Sequence, residues 1–198
     1  MTDLSVYLSG EIHSDWREEI YKGSSSAGLS ITFNTPVTDH DNSDDCGVTI
    51  LGGEDNPFWK DHKGAKLNAI RTKTLIERSD VVVVRFGDKY KQWNAAFDAG
   101  FAAALGKPLI VMHDKSLTHP LKEVDAAALA VAETPEQIVA VLNYVINGEL
   151  SVKYHSTDKV NLLNQSRVLG LLYLIVYSLT ALCQVKTLDG RKDYQSAA

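Results

Sequence analysis

Short apolar runs alternate with amphipathic stretches along the first 148 residues. Leu4 to Ser9, closed by Gly10, has the density of apolar positions of a buried strand. Gly10 to His13 is a loop. Ser14 follows as a plausible N-cap, with Arg17 one turn in and Glu18 and Glu19 in the early helix, where acids suit the helix dipole. The helix is expected to end at about Lys22 or Gly23, since Ser24-Ser25-Ser26-Ala27-Gly28 breaks the pattern. Leu29 to Phe33 reads as a second strand. From Asn34 to about Lys63 the chain is polar and shows no clear period. It reads as a long loop, of a kind that is functional or mobile inside a compact domain. Leu67, Ile70, Leu75 and Ile76 then predict a helix from about Ala65 to Arg78, and Val81-Val82-Val83-Val84 a central strand.

The next helix runs from about Gln92 to Leu105 and is made mostly of small residues. Gly106 and Pro108 stop it, and Leu109 to Met112 is the following strand. His113 to Lys122 is a polar loop containing His119-Pro120, and Ala126 to Val131 is expected as a last edge strand. Thr134-Pro135-Glu136-Gln137 opens a final helix that Gly148 ends after Asn147. Strands alternating with helices predict an α/β fold, specifically a flavodoxin-like three-layer sandwich on a five-stranded parallel sheet in the order 2-1-3-4-5. Ligands of such sheets sit beyond the carboxyl ends of the strands, where the strand order reverses. The loops leaving the first and third strands, Gly10 to Ser14 and Gly87 to Asn94, therefore border the expected site.

Residues 149–198 have a different character. Val168 to Val185 is eighteen residues without a charge, between Arg167 and Lys186. That only meets the length of a membrane span, and Ser178, Thr180 and Gln184 weaken it. The expectation is a domain over 1–148 and an extension over 149–198. The extension should be helical around 160–186 and disordered from 187; membrane contact through 168–185 is the disfavoured reading, against a helix packed on the domain or a partner or a poorly conformed extension.

Charge and cysteine usage narrow the class. A net charge of -5 over 198 residues argues against a nucleic-acid polymer as partner. Cys46 and Cys183 make neither a disulfide framework nor a zinc knuckle. The amino-terminal stretch lacks the pattern of a signal peptide, so a reducing, cytoplasmic setting is expected.

The candidate chemistry centres on Asp98. It is the only ionisable side chain between Gln92 and Gly106, and burying it among Ala, Gly and Phe is costly without a partner or a task. A desolvated carboxylate gains basicity and can act as base or nucleophile; pairing with Arg71 or Arg85 is the structural alternative. Asn94 shares the helix face of Asp98. Glu11 and His13 stand at the end of the first strand as possible acid, base or ligand-holding groups, or as ordinary polar residues at a helix entry. Gly10 suits close backbone approach to a ligand. Tyr90, Trp93, Phe58 and Trp59 are candidates to wall a pocket and stack on a planar base. The acids Asp39, Asp41, Asp44 and Asp45, with His40, have metal-binding types but no ligand spacing, and read as a solvated loop. No metal or other cofactor is expected. Neither GxGxxG, GxxxxGK[ST] nor GxSxG is present.

Three segments together resemble the YtoQ family, which belongs with the nucleoside 2-deoxyribosyltransferase-like proteins. They are Val6-Tyr7-Leu8-Ser9-Gly10-Glu11-Ile12-His13-Ser14-Asp15-Trp16-Arg17, Phe86 to Asn94, and Asp98-Ala99-Gly100-Phe101 with Gly106-Lys107-Pro108. The resemblance runs from about Leu4 to Asn147. It implies a carboxylate nucleophile at Asp98, attacking the anomeric carbon of a deoxynucleoside, with Tyr7 beside it. The wider group has glutamate at this position and acids at the positions of Gln92 and about Thr72. On this reading Asp98, Tyr7 and Glu11 are catalytic, with Glu11 or Asp88 as proton donor. Gly10, His13, Asp88, Trp93, Asn94 and Arg71 bind a neutral nucleoside-like small molecule. The resemblance also implies a homo-oligomer. The alternatives are a non-catalytic nucleoside or metabolite sensor on the same fold and, from the extension alone, a membrane-tethered interaction protein.

Overall fold

The computed structural model describes residues 3–89, 92–148 and 150. The expectations for Tyr90, Cys183 and the extension, including the uncharged run 168–185, lie outside these residues. Among the described residues no helix is long and apolar enough to cross a membrane.

Five parallel strands form one sheet in the order β2-β1-β3-β4-β5. They are β1 (Leu4–Gly10), β2 (Ile31–Asn34), β3 (Val81–Arg85), β4 (Leu109–Met112) and β5 (Ala130–Ala132). Among the described residues six α-helices connect and follow them: α1 (Trp16–Ser26), α2 (His40–Leu51), α3 (Pro57–Arg78), α4 (Trp93–Ala104), α5 (Lys122–Ala127) and α6 (Pro135–Asn147). The two faces of the sheet follow from the period-2 alternation of strand side chains. Val6 and Leu8 of β1 pack with Trp16 and Ile20 of α1 and with Ile138 and Leu142 of α6. Tyr7 points the other way, into a core with Ile76 of α3 and Ala95, Ala99 and Ala102 of α4. The valine run of β3 is buried on both faces, which is why it shows no alternation in sequence.

The polar stretch from Asn34 to Lys63 is not a long loop. It holds α2 and the first two turns of α3. Asp39 caps α2 by accepting from the Asn42 amide at 2.8 Å, and Asn56 caps α3 by accepting from the Phe58 amide at 3.0 Å. Hydrophobic periodicity missed this hairpin because its two helices meet through glycine. A Cβ on Gly47 would lie 2.3 Å from the Gly64 amide nitrogen. Gly47→Ala is therefore expected to force the helices apart and to cost about 1–3 kcal/mol in a urea melt.

Other boundaries shift for local reasons. α1 continues through Ser24-Ser25-Ser26, with Ser24 buried, and stops only where Gly28 takes a positive φ. Its N-cap position is Asp15 rather than Ser14, because the Ser14 hydroxyl donates to Glu11 instead. β2 begins at Ile31, two residues later than the apolar run. The region expected as an edge strand from Ala126 is mostly α5, and β5 is only Ala130–Ala132. The start of α6 at Thr134-Pro135 and its end at Gly148 are as the sequence indicates.

Candidate functional site

A cleft of about 780 Å³ opens beyond the carboxyl end of β1. Ser9, Gly10 and Ile12 form its floor, α2 and α3 one wall, and α4 the other. A smaller cavity of about 220 Å³ lies beside it, between Gly10, Ile12 and the start of α4 at Gln92 to Ala95.

The side of β1 that carries Tyr7 also carries Ser9, two residues on, and both reach a cleft-wall helix. The buried Tyr7 hydroxyl lies 3.4 Å from Thr72 Oγ1 on α3. Burial, opposed by the Thr72 contact and reinforced by the nearby Asp98 charge, pushes the Tyr7 pKa up to about 12. The phenol is therefore neutral across the working range of most proteins. The Ser9 hydroxyl donates to Asp98 Oδ2 on α4. Burial raises the Asp98 pKa, and the Ser9 hydrogen bond opposes the shift. Arg85 pairs instead with Glu11, and Arg71 donates to the Thr35 carbonyl at 3.3 Å. Among the described residues no cation pairs with Asp98, so the structural alternative offered for this acid is not what holds it.

The strand end itself is fastened by a buried arginine. Arg17 Nε donates to the Leu8 carbonyl at 3.2 Å, Nη1 to that of Glu11 at 2.7 Å and Nη2 to that of Gly10 at 3.1 Å. Trp16 Nε1 also donates to the Glu11 carbonyl, at 2.8 Å. Burial lowers the Arg17 pKa to about 10, which leaves it charged near neutrality. Gly10 has φ 102°, and a Cβ there would fall 2.0 Å from the Arg85 carbonyl oxygen. Its backbone freedom serves the β1–β3 crossing as well as the cleft floor.

The expected site residues do not all meet. Asp98, Asn94, Gly10 and Arg71 line the cleft, and Tyr7 lies behind Thr72, which lines it. Glu11 does not line it. Its carboxylate accepts from the His13 amide and the Ser14 hydroxyl, and Arg85 Nε lies 3.4 Å away. Burial would raise its pKa, but these contacts outweigh it and the net shift is downward. An acid held as its anion is a poor proton donor, so the arrangement assigns Glu11 to closing the loop after β1. His13 and Asp88 are exposed and line neither cavity. Trp93 is 72% exposed and borders only the small cavity. Phe58 and Trp59 sit at the start of α3, in ring contact with each other and with His62, away from the cleft. Asp39 caps α2, and Asp45 pairs with Lys60 at 2.7 Å.

Two positions where the wider group has acids are explained locally. Gln92 Oε1 accepts from the Gly87 amide at 3.0 Å and Nε2 donates to the Lys89 carbonyl at 2.9 Å, which ties down the loop after β3. Thr72 contacts Tyr7. Lys107, within the Gly-Lys-Pro segment, donates to the Glu77 and Ser79 carbonyls at 2.6 and 2.9 Å and so fastens the carboxyl end of α3. Sequence reasoning missed Ser9, Thr72, Ile12 and the aromatic pair Phe97 and Phe101 as cleft residues. The parity of Ser9 with Tyr7 was the available signal for the first of these.

Comparison with known proteins bears on the family and the fold. A protein of Bacillus subtilis (strain 168) named Uncharacterized protein YtoQ is 47% identical over 147 residues, covering 74% of this chain and 99% of its own. A crystal structure of a conserved protein from Enterococcus faecalis V583 shares the fold, with a TM-score of 0.51 and 12% identity over 73% of this chain and 99% of that one. A 2-deoxyribosyltransferase from Bacillus psychrosaccharolyticus gives a lower TM-score, 0.43, with 18% identity over 70% and 95% of the two chains. The profile of one family, described as Nucleoside 2-deoxyribosyltransferase YtoQ, matches residues 7–146. The chain belongs to that family, the YtoQ group of nucleoside 2-deoxyribosyltransferase-like proteins.

Proposed function

We propose that this protein cleaves and transfers the N-glycosidic bond of a nucleoside-like substrate, with Asp98 as nucleophile. The observation that carries the reading is a half-buried carboxylate in the cleft wall with no cation paired to it among the described residues. A structural aspartate in such surroundings costs stability, and a nucleophile justifies that cost.

In the first step a lone pair of Asp98 forms an ester bond to the anomeric carbon. The electrons of the carbon–nitrogen bond leave with the base, which takes a proton from solvent water in the open cleft. In the second step the nitrogen of an acceptor base, or a water molecule, attacks the same carbon and loses a proton to solvent. The ester bond breaks and the carboxylate returns. Both steps pass through an oxocarbenium-like state that a nearby anion stabilises. Tyr7 keeps its proton and supports the Thr72 wall. Asn94 shares the α4 face with Asp98 and is suited to hydrogen-bond the sugar or base. Phe97 and Phe101 supply apolar wall for a planar ring.

The test is exchange: incubation with deoxynucleosides and a free acceptor base, followed by chromatography of the bases and nucleosides. Appearance of the exchanged nucleoside or of free base, lost in Asp98→Ala, supports the reading. Ligand binding with no release or exchange in either protein would instead make it a sensor. A pH series adds a second expectation. The nucleophile must be ionised, and burial has raised its pKa. Activity should therefore fall on the acid side from a pH above the ordinary aspartate range, by about tenfold per pH unit at the limit.

A further inference from the structure

Aspartate is a short nucleophile on a helix, and its reach depends on where its backbone sits and how its carboxylate is turned. The sequence handles the first through alanine. Ala95, Ala99 and Ala102 are the buried positions of α4 and pack against the sheet with Tyr7, Val82, Val84 and Val111. A helix face of methyl groups approaches a sheet more closely than one of leucines. The backbone of Asp98 is thereby brought toward the end of β1.

The second requirement is met from β1. Ser9 is 1% exposed and registers opposite Val84 of β3, inside the sheet. Its hydroxyl hydrogen bonds to Asp98 Oδ2, and no described residue contributes a further hydrogen bond to either carboxylate oxygen. A hydroxyl on a central strand is a stiffer anchor than one on a loop. The strand is pinned one residue further on, where Arg17 holds the Gly10 carbonyl. The hydroxyl donates only one proton, so it can engage one carboxylate oxygen and leaves the other for chemistry.

We propose that Ser9 is the positioning residue of this site: it grips Oδ2 of Asp98 from the sheet and leaves Oδ1 directed at the substrate. The proposal rests on the reading of Asp98 as nucleophile, but the grip itself is a property of the free protein. It also gives the donor a second consequence, since a hydrogen bond to the ionised form favours ionisation in a place where burial opposes it.

The experiment compares wild type, Ser9→Ala and Ser9→Thr, with melting temperature as the control for folding. Two readouts are taken on each. One is the titration of the Asp98 side-chain carboxyl by carbon-13 NMR in the absence of any ligand, with Asp98→Asn used for assignment. The other is the pH profile of deoxynucleoside base exchange. The expectation is that Ser9→Ala titrates Asp98 at higher pH than wild type and moves the acid limb of the exchange profile the same way. It should lower kcat about tenfold or more while changing KM little. Ser9→Thr retains the hydroxyl and should return both readouts toward wild type. If it melts too low to use, Ser9→Ala decides alone, being a deletion that adds no volume. An unchanged Asp98 titration in folded Ser9→Ala overturns the proposal. A shifted titration in a protein that catalyses no exchange upholds the grip and removes the glycosyl-transfer reading, so the two failures are told apart.

Discussion

Asp98→Asn is expected to lower base exchange by at least about 10³-fold while leaving the protein as stable as wild type or more so. Asparagine has the shape of aspartate and can still accept the Ser9 hydrogen bond, but it cannot form the ester. The stability half follows from the raised pKa. A carboxyl whose pKa is higher in the folded than in the unfolded chain binds its proton more tightly when folded. Stability then falls as pH rises from the unfolded value through the folded one, and stays lower above it. At neutral pH wild type carries that penalty in full, and the asparagine variant carries none. The variant should therefore melt at or above the wild-type temperature near neutrality, with the advantage vanishing at acid pH. A structural aspartate in a favourable ion pair would give the opposite sign. Circular-dichroism melts at two pH values, beside the exchange assay, check both halves.

Arg17→Leu is expected to have the largest effect on folding. The guanidinium satisfies three carbonyls at the end of β1, those of Leu8, Gly10 and Glu11. Leucine can fill part of the volume but donates nothing, and the Leu8 and Gly10 carbonyls lose this donor. The cost should be about 3 kcal/mol, or a fall in Tm of roughly 6–12 °C. Arg17→Lys should recover little of it, because one ammonium on a flexible stem does not reproduce the planar fork. One of the three, Gly10, belongs to the floor of the cleft, so the variant should also bind substrate more weakly at temperatures where it remains folded.

Arg17 illustrates how much of the site was legible. Its position in the first turn of a helix was plain from sequence, as was the acid-rich turn that follows. Its task was not, because the partners are backbone carbonyls, which have no sequence signature. The contacts of Glu11 were hidden for a related reason. A carboxylate at the end of the first strand of such a sheet is where a catalytic acid belongs. What decides its role is whether it faces the cleft or folds back onto the amide of His13 and the hydroxyl of Ser14. Those contacts are two and three residues away, and sequence alone does not say whether they form.

The fold was easier. The valine run of β3, the Gly and Pro stops around Leu109 to Met112 and the Thr134-Pro135 helix start each carry a strong local signal, and together they were enough for the strand order. The α2–α3 hairpin was lost because periodicity reports large apolar residues. These two helices meet where Gly47 and Gly64 let the backbones touch. Half of one wall of the cleft was therefore invisible at the start. The resemblance to the transferase-like proteins placed Asp98 and Tyr7 side by side, and the geometry adds Ser9 and Thr72 as their partners.

The central claim, that Asp98 attacks the sugar, is tested most directly by trapping. The full-length protein is mixed with a reactive 2-deoxynucleoside without acceptor base, quenched in acid within the first turnovers, digested and mapped by mass spectrometry. The account predicts one deoxyribosyl group on the peptide containing Asp98, absent in Asp98→Asn and removed when acceptor base is added before the quench. Base release at full rate by Asp98→Asn, or a sugar adduct on any other residue, would contradict it.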